Sequence, residues 1–178
     1  DQVEYKIGND YDFITLFNIN QAFVDTVRNT GGKNSDRLLI VAGMNQDSDI
    51  TCTSSYKIPI DPSRKLAISF NYLAPVEFTM LSAENPWTYN DEQGNVYFAQ
   101  PLYKWGSESQ YKELYVNFQN FKEIFVDKGY PIVINGVGVL TEDKKEIKSI
   151  REYLYSVFSI TRSFKGIMSC LWDTSNKK

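Results

Sequence analysis

The sequence predicts an α/β fold of about four parallel strands with helices on their outer face, and three observations carry that expectation. The strand-like runs are apolar on both faces, helical apolar stripes separate most of them, and the alternating pattern of a sheet with one wet face is read only near the amino terminus. Leu38 to Ala42 is such a run, ending at Gly43. Leu66 to Tyr72 is a second, stopped before Pro75. Pro131 to Ile134 is a third, followed by Asn135-Gly136, and Ile167 to Trp172 is the fourth. Strands apolar on both sides belong to sheets covered by helices.

The helices follow from 3.6-residue spacing. Tyr111, Leu114, Tyr115, Phe118, Phe121 and Phe125 form one stripe; Ser107 and Gln110 make a capping box before it and Gly129 ends it. Ile147, Ile150, Leu154, Val157 and Phe158 form a second, expected to start at Thr141 with Glu142 and Asp143 in its first turn and to end at Gly166. Phe13, Leu16, Phe17, Phe23, Val24 and Val27 form a third, closed by Gly31-Gly32. These aromatic stripes are read as core. Asn45 to Ser63 carries no strong helix signal, residues 73–106 read as a long aromatic loop, and residues 1–12 as an extension in which Gln2 to Ile7 alternates like an edge strand. The order α-β-β-α-β-α-β within one domain, residues 1–178, is that of part of a βα-barrel, whose sites lie at the carboxyl ends of the strands.

Composition narrows the chemistry. The chain has 178 residues, a formal charge of −3 and no histidine. A mildly acidic chain is a poor match for nucleic acid or an anionic membrane, and no apolar run reaches the ~20 residues of a membrane span. Without histidine there is no Ser-His-Asp or Cys-His nucleophile and no His-ligated metal, so neither metal nor cofactor is expected. Cys52 and Cys170 are too few for a thiolate zinc site and are read as free thiols, with one isolated bridge as the alternative. Carboxylates remain for catalysis. Aromatic residues make up 15% of the chain, enough to stack on sugar rings as well as to fill a core.

Several segments, in order, resemble one family. Asn20 to Arg28 with Thr30-Gly31-Gly32 is similar to the helix after the fourth strand of glycoside hydrolase family 5 endoglucanases (cellulases). Lys57-Ile58-Pro59, Asp61-Pro62-Ser63 and the run to Asn71-Tyr72 resemble the segment that carries the family's His-Tyr pair. Lys104 to Glu108 resembles its Trp-Gly-Ser-Glu helix start, Lys128 to Leu140 its seventh strand, and Leu171-Trp172-Asp173 its eighth. The resemblance implies the C-terminal half of a (β/α)8 TIM-like barrel and a relationship to retaining endo-β-1,4-glucanases. It also implies a secreted or cell-surface location.

The departures set the functional expectation. A retaining glycosidase uses an acid/base carboxyl and a nucleophilic carboxylate ~5–5.5 Å apart. The family's Asn-Glu-Pro acid/base motif does not occur in this sequence. Its seventh-strand pattern Gly-Glu-aromatic-Gly reads Asn135-Gly136-Val137-Gly138 here, so the nucleophile position holds Gly136, and the histidine position holds Asn71. No catalytic residue is therefore assigned. Asn71, Tyr72, Trp172, Trp105 and Trp87 are the substrate-binding candidates. Trp172 is read either as a sugar platform or as a plug of the barrel end, and the two other tryptophans more as packing. Glu77, Glu84, Asp91, Glu92 and Asp173 are read as solvated charges.

Three functions follow: an inactive cellulase-like half-barrel with weak glycan binding or an assembly role, half of a β-1,4-glucan hydrolase completed by another chain, or an interaction module using the open barrel face. The expected partners are a β-glucan oligosaccharide and either a second copy or a complementary half-barrel chain. Leu39, Val41, Ala67, Ile132 and Ile134 are the expected lining of the open face.

Overall fold

The computed structural model describes residues 10–84, 87–90, 96–141 and 144–172. Helix α1 (Asp10–Asn29) leads through a 3₁₀ turn into β1 (Leu39–Asp47) and the single turn α2 (Ser48–Thr51). Strand β2 (Leu66–Asn71) is followed by another single turn, α3 (Val76–Thr79), and by the pair β3 (Trp87–Asn90) and β4 (Val96–Ala99). Helix α4 (Glu108–Ile124), β5 (Ile132–Val137), α5 (Ile147–Ser163) and β6 (Ile167–Leu171) complete the order.

The main sheet runs β1-β2-β5-β6 with every pairing parallel, as expected for half of a βα-barrel. Register fixes which side chains face the helices. Leu39 pairs with Leu66, Val41 with Ile68, Ile68 with Ile132 and Ile132 with Ile167, and all of these are buried. They pack with Val24 of α1, Leu114, Phe118 and Phe121 of α4, and Tyr153 and Val157 of α5. Rings of the core meet edge to face, Phe70 on Phe121 at 5.1 Å and Tyr72 on Phe118 at 5.2 Å between centroids, the geometry that aromatic quadrupoles favour.

The other face of the sheet carries Ile40, Ala42, Ala67, Ser69, Val133 and Met168, since Ile40 pairs with Ala67, Ala42 with Ser69 and Val133 with Met168. Ile40 is 48% exposed and Met168 53%. This corrects the expected lining: of the five residues named, only Ala67 lies on the open face. With a side-chain period of two, the bulky set goes to the face that three aromatic-rich helices fill, and the alternate set is left open.

Helix ends follow their local chemistry in part. Ser107 accepts from Gln110 N while the Gln110 side chain accepts from Ser107 N, and Gly129 closes the following 3₁₀ turn at φ 92°. Helix α5 begins at Ile147, not Thr141; Glu142 and Asp143 lie outside the described residues. Its deepest residues are Ser149, Tyr153, Val157 and Thr161; of the expected stripe Val157 is among them, Ile150, Leu154 and Phe158 pack partly buried beside them and Ile147 is exposed, while Ser149 Oγ donates to Trp105 O and Thr161 Oγ1 bonds both Val157 O and Ser169 Oγ. The expected long loop contains α3 and the β3–β4 pair; Leu102 N donates to Glu77 O within it, and it is tied to the segment between β5 and α5 by Leu140 N to Thr79 O, Glu146 N to Tyr103 O and Lys145 Nζ to Leu81 O. The expected edge strand Gln2 to Ile7 lies outside the described residues. Among the described residues no helix is long and apolar enough to cross a membrane.

Candidate functional site

The carboxyl ends of β1, β2, β5 and β6 bring together Gln46, Ser69 and Asn71, Asn135 and Gly136, and Trp172. Backbone bonds fix this end of the sheet: Tyr72 N donates to Gly136 O at 3.0 Å and Trp172 N to Val137 O at 2.9 Å. Both β1 and β5 become irregular here, between Ala42 and Asp47 and between Ile134 and Val137. In β1 the irregularity places Asn45 at φ 52° and Gln46 at φ 56°, a left-handed region that residues other than glycine rarely adopt.

Gly136 is hemmed in. A Cβ built on it lies 2.9 Å from Asn71 Oδ1, 3.3 Å from Asn71 Cγ and 3.6 Å from Trp172 Cε3. Two predicted site residues therefore flank the third position, and the amide of Asn71 stands where a side chain at 136 would begin. Gly138 is equally close to Trp172, its Cβ position 3.0 Å from Trp172 O. Trp172 itself is 49% exposed and Asn71 half-buried.

The remaining candidates fall elsewhere. Tyr72 is 1% exposed; its ring packs on Phe118 and Phe121, its hydroxyl accepts from Asn117 Nδ2 at 3.2 Å, and burial pushes that hydroxyl's pKa well above the tyrosine range. Trp105, 5% exposed, packs against Tyr111 and Tyr153. Both are core residues here: for Tyr72 this corrects its reading as a substrate-facing residue, and for Trp105 it agrees with the packing reading over the binding one. Trp87 belongs to the separate β3–β4 sheet, with an exposed ring.

The nearby carboxylates have structural work. Asp47 caps α2, accepting from Asp49 N at 2.8 Å and Ile50 N at 2.9 Å. Burial, with Asp47 alongside, raises the pKa of Asp49. Glu77 sits in the first turn of α3, and Asp91, Glu92 and Asp173 lie outside the described residues. Among the described residues no group of three or more His, Cys, Asp or Glu is placed to hold a metal. Cys52 and Cys170 are free thiols, and burial raises the Cys52 pKa to about 12.

Sequence reasoning missed a polar row across the strand ends. Asn135 Nδ2 donates to Gln46 Oε1 at 2.8 Å and to Ser69 Oγ at 3.0 Å, linking β1, β2 and β5. Asn135 was visible as a departure from the Gly-Glu pattern; Gln46 reaches it only through a backbone irregularity that leaves no composition signal.

Four parallel strands with helices packed against one face define half of an α/β barrel. The chain belongs to the cellulase family, glycosyl hydrolase family 5, whose family model matches residues 5–178. It is 52% identical to a GH5-4 broad-specificity endoglucanase from an uncultured bovine rumen ciliate, with a TM-score of 0.88 over 99% of this chain and 50% of that one. Endoglucanase A of Paenibacillus barcinonensis is 32% identical over 86% of this chain and 40% of its own length. A glycoside hydrolase 5 lichenase from Caldicellulosiruptor sp. F32, solved with cellotetraose, is 26% identical with a TM-score of 0.76 over 97% of this chain and 45% of that one. The chain thus spans about half the length of the solved relatives and less than half of the curated one.

Proposed function

We propose that this chain is a non-hydrolytic member of the cellulase family that binds β-glucan at the carboxyl ends of its strands and whose open face is covered by a second copy or by a complementary half-barrel chain. The loss of a side chain at Gly136 carries the reading. A glycine has no group with which to attack an anomeric carbon. A complementary half supplying an acid/base carboxyl leaves position 136 unchanged, so a completed barrel still lacks the nucleophile that retaining hydrolysis requires.

Glycan binding is supported by the half-exposed indole of Trp172 beside Asn71, and by a relative solved with cellotetraose. Stacking on such a ring is comparable to base–aromatic stacking, about 1–3 kcal/mol per ring, so the expected affinity is in the millimolar range. The test has two arms. Carboxymethylcellulose should release no reducing sugar with purified protein; release that co-purifies with the chain through a second column overturns inactivity. Cello-oligosaccharide should quench tryptophan fluorescence, and Trp172→Ala should abolish the quench while circular dichroism stays native. An unchanged spectrum throughout the titration removes the glycan reading and leaves the interaction role.

A further inference from the structure

We propose that Gln46 and Asn135 form a neutral amide subsite that takes neighbouring hydroxyls of a pyranose ring; the proposal rests on the glycan reading and names residues of that site. The first observation is a gain of side chain. The family pattern has a glycine before the nucleophile, and this chain has Asn135 there, exposed on the open side of the sheet, while the following position has lost its side chain. The polar group on this strand is thus displaced by one residue, from Gly136 to Asn135.

The second observation is orientation. Asn135 Nδ2 donates both its protons, to Gln46 Oε1 and to the buried Ser69 Oγ. Those bonds leave Asn135 Oδ1 as an acceptor and Gln46 Nε2 as a donor. An acceptor and a donor on adjacent amides match two hydroxyl groups, each of which both donates and accepts. With no formal charge in the pair, the ligand class is a neutral polyol rather than an anion.

The third observation is backbone conformation. Gln46 and Asn45 both hold positive φ at a bulge on the edge strand, and neither is buried as a core residue. The bulge carries the chain into the turn that Asp47 caps and also sets the Gln46 amide beside Asn135; unusual backbone held at a strand end is a form in which proteins build binding geometry.

A simple cross-strand brace is the competing role, and one substitution separates the two. Gln46→Gly removes the amide but suits the positive φ. The brace predicts a lower melting temperature and unchanged ligand binding; the subsite predicts an unchanged or higher melting temperature and weaker binding. Cellotetraose titrations followed by NMR shifts on wild type, Gln46→Gly, Asn135→Gly and Trp172→Ala should show about fivefold weaker binding or more for each of the first two variants, the scale of a lost hydrogen bond or two. Wild-type affinity in both amide variants, with Trp172→Ala impaired, overturns the subsite and leaves the glycan reading standing. No binding by the wild-type chain overturns that reading, and the subsite with it.

Discussion

At position 136 two departures from the family pattern are physically one. Asn71 in place of histidine and glycine in place of glutamate are neighbours in space: a Cβ at 136 lies 2.9 Å from Asn71 Oδ1, the end of that side chain. Gly136→Glu therefore should not restore turnover: it supplies a carboxylate without the acid that must protonate the leaving oxygen. It should also destabilise the chain by about 1–3 kcal/mol through overpacking. Asn71→Ala added to Gly136→Glu should recover most of that loss, and urea unfolding of the two single variants and the double variant measures the coupling. Purely additive effects would show that the two residues are not in conflict. Departures of this kind were legible in the sequence, since a missing carboxylate needs no structure to see. The burial of Tyr72 was not, because a motif says which ring is present and not which of two faces has room for it.

The elements are held by contacts of unequal weight. Arg28 near the end of α1 forms a two-pronged ion pair with Asp61, Nε to Oδ1 and Nη2 to Oδ2 both at 2.8 Å, and it also donates to the backbone of Asn34 and Arg37. Asp61 is buried and accepts further from Ser63 N and Lys65 N. This cluster ties α1 to the connections on both sides of β1. The guanidinium, with these donors, holds the Asp61 carboxyl well below the usual carboxylate range. A carboxyl depressed in the folded state contributes stability that is present above the unfolded value of about 3.9 and fades as pH falls through the folded one. Denaturant stability should therefore drop as pH is lowered below about 4, and Asp61→Asn should flatten that part of the profile. Asp61→Ala should cost about 2–3 kcal/mol by removing the carboxylate that Arg28, Ser63 N and Lys65 N share, against about 1 kcal/mol for Ser107→Ala at the α4 cap; equal costs would show that the pair is no anchor. The α4 capping box was readable because it is local. The start of α5 was not, since Ser149 and Thr161 are drawn inward by partners on Trp105 and Ser169 that no 3.6-residue count contains.

For the whole molecule, the strand order and parallel sense were legible because four apolar runs joined by helical stripes admit few right-handed arrangements. The phase of each strand was not: with apolar residues on both faces, contact with the helices decides which set turns inward. That decision fixes the last expectation. Ile40, Ala42, Val133 and Met168 share a face on which Ile40 and Met168 are about half exposed, and both sheet edges, β1 and β6, end without a neighbouring strand among the described residues. Free edges and an apolar face both favour association. In a pure sample the available cover is another copy, arranged about a two-fold axis. Light scattering of the isolated chain should give a mass above the 20.5 kDa of one chain. Ile40→Lys with Met168→Lys should return it to the single-chain mass with little loss of thermal stability, because both side chains are already half exposed within one copy and lysine at such sites discourages pairing. A wild-type mass of one chain at every concentration would remove the second copy as the cover and leave a complementary half-barrel as the partner to add back.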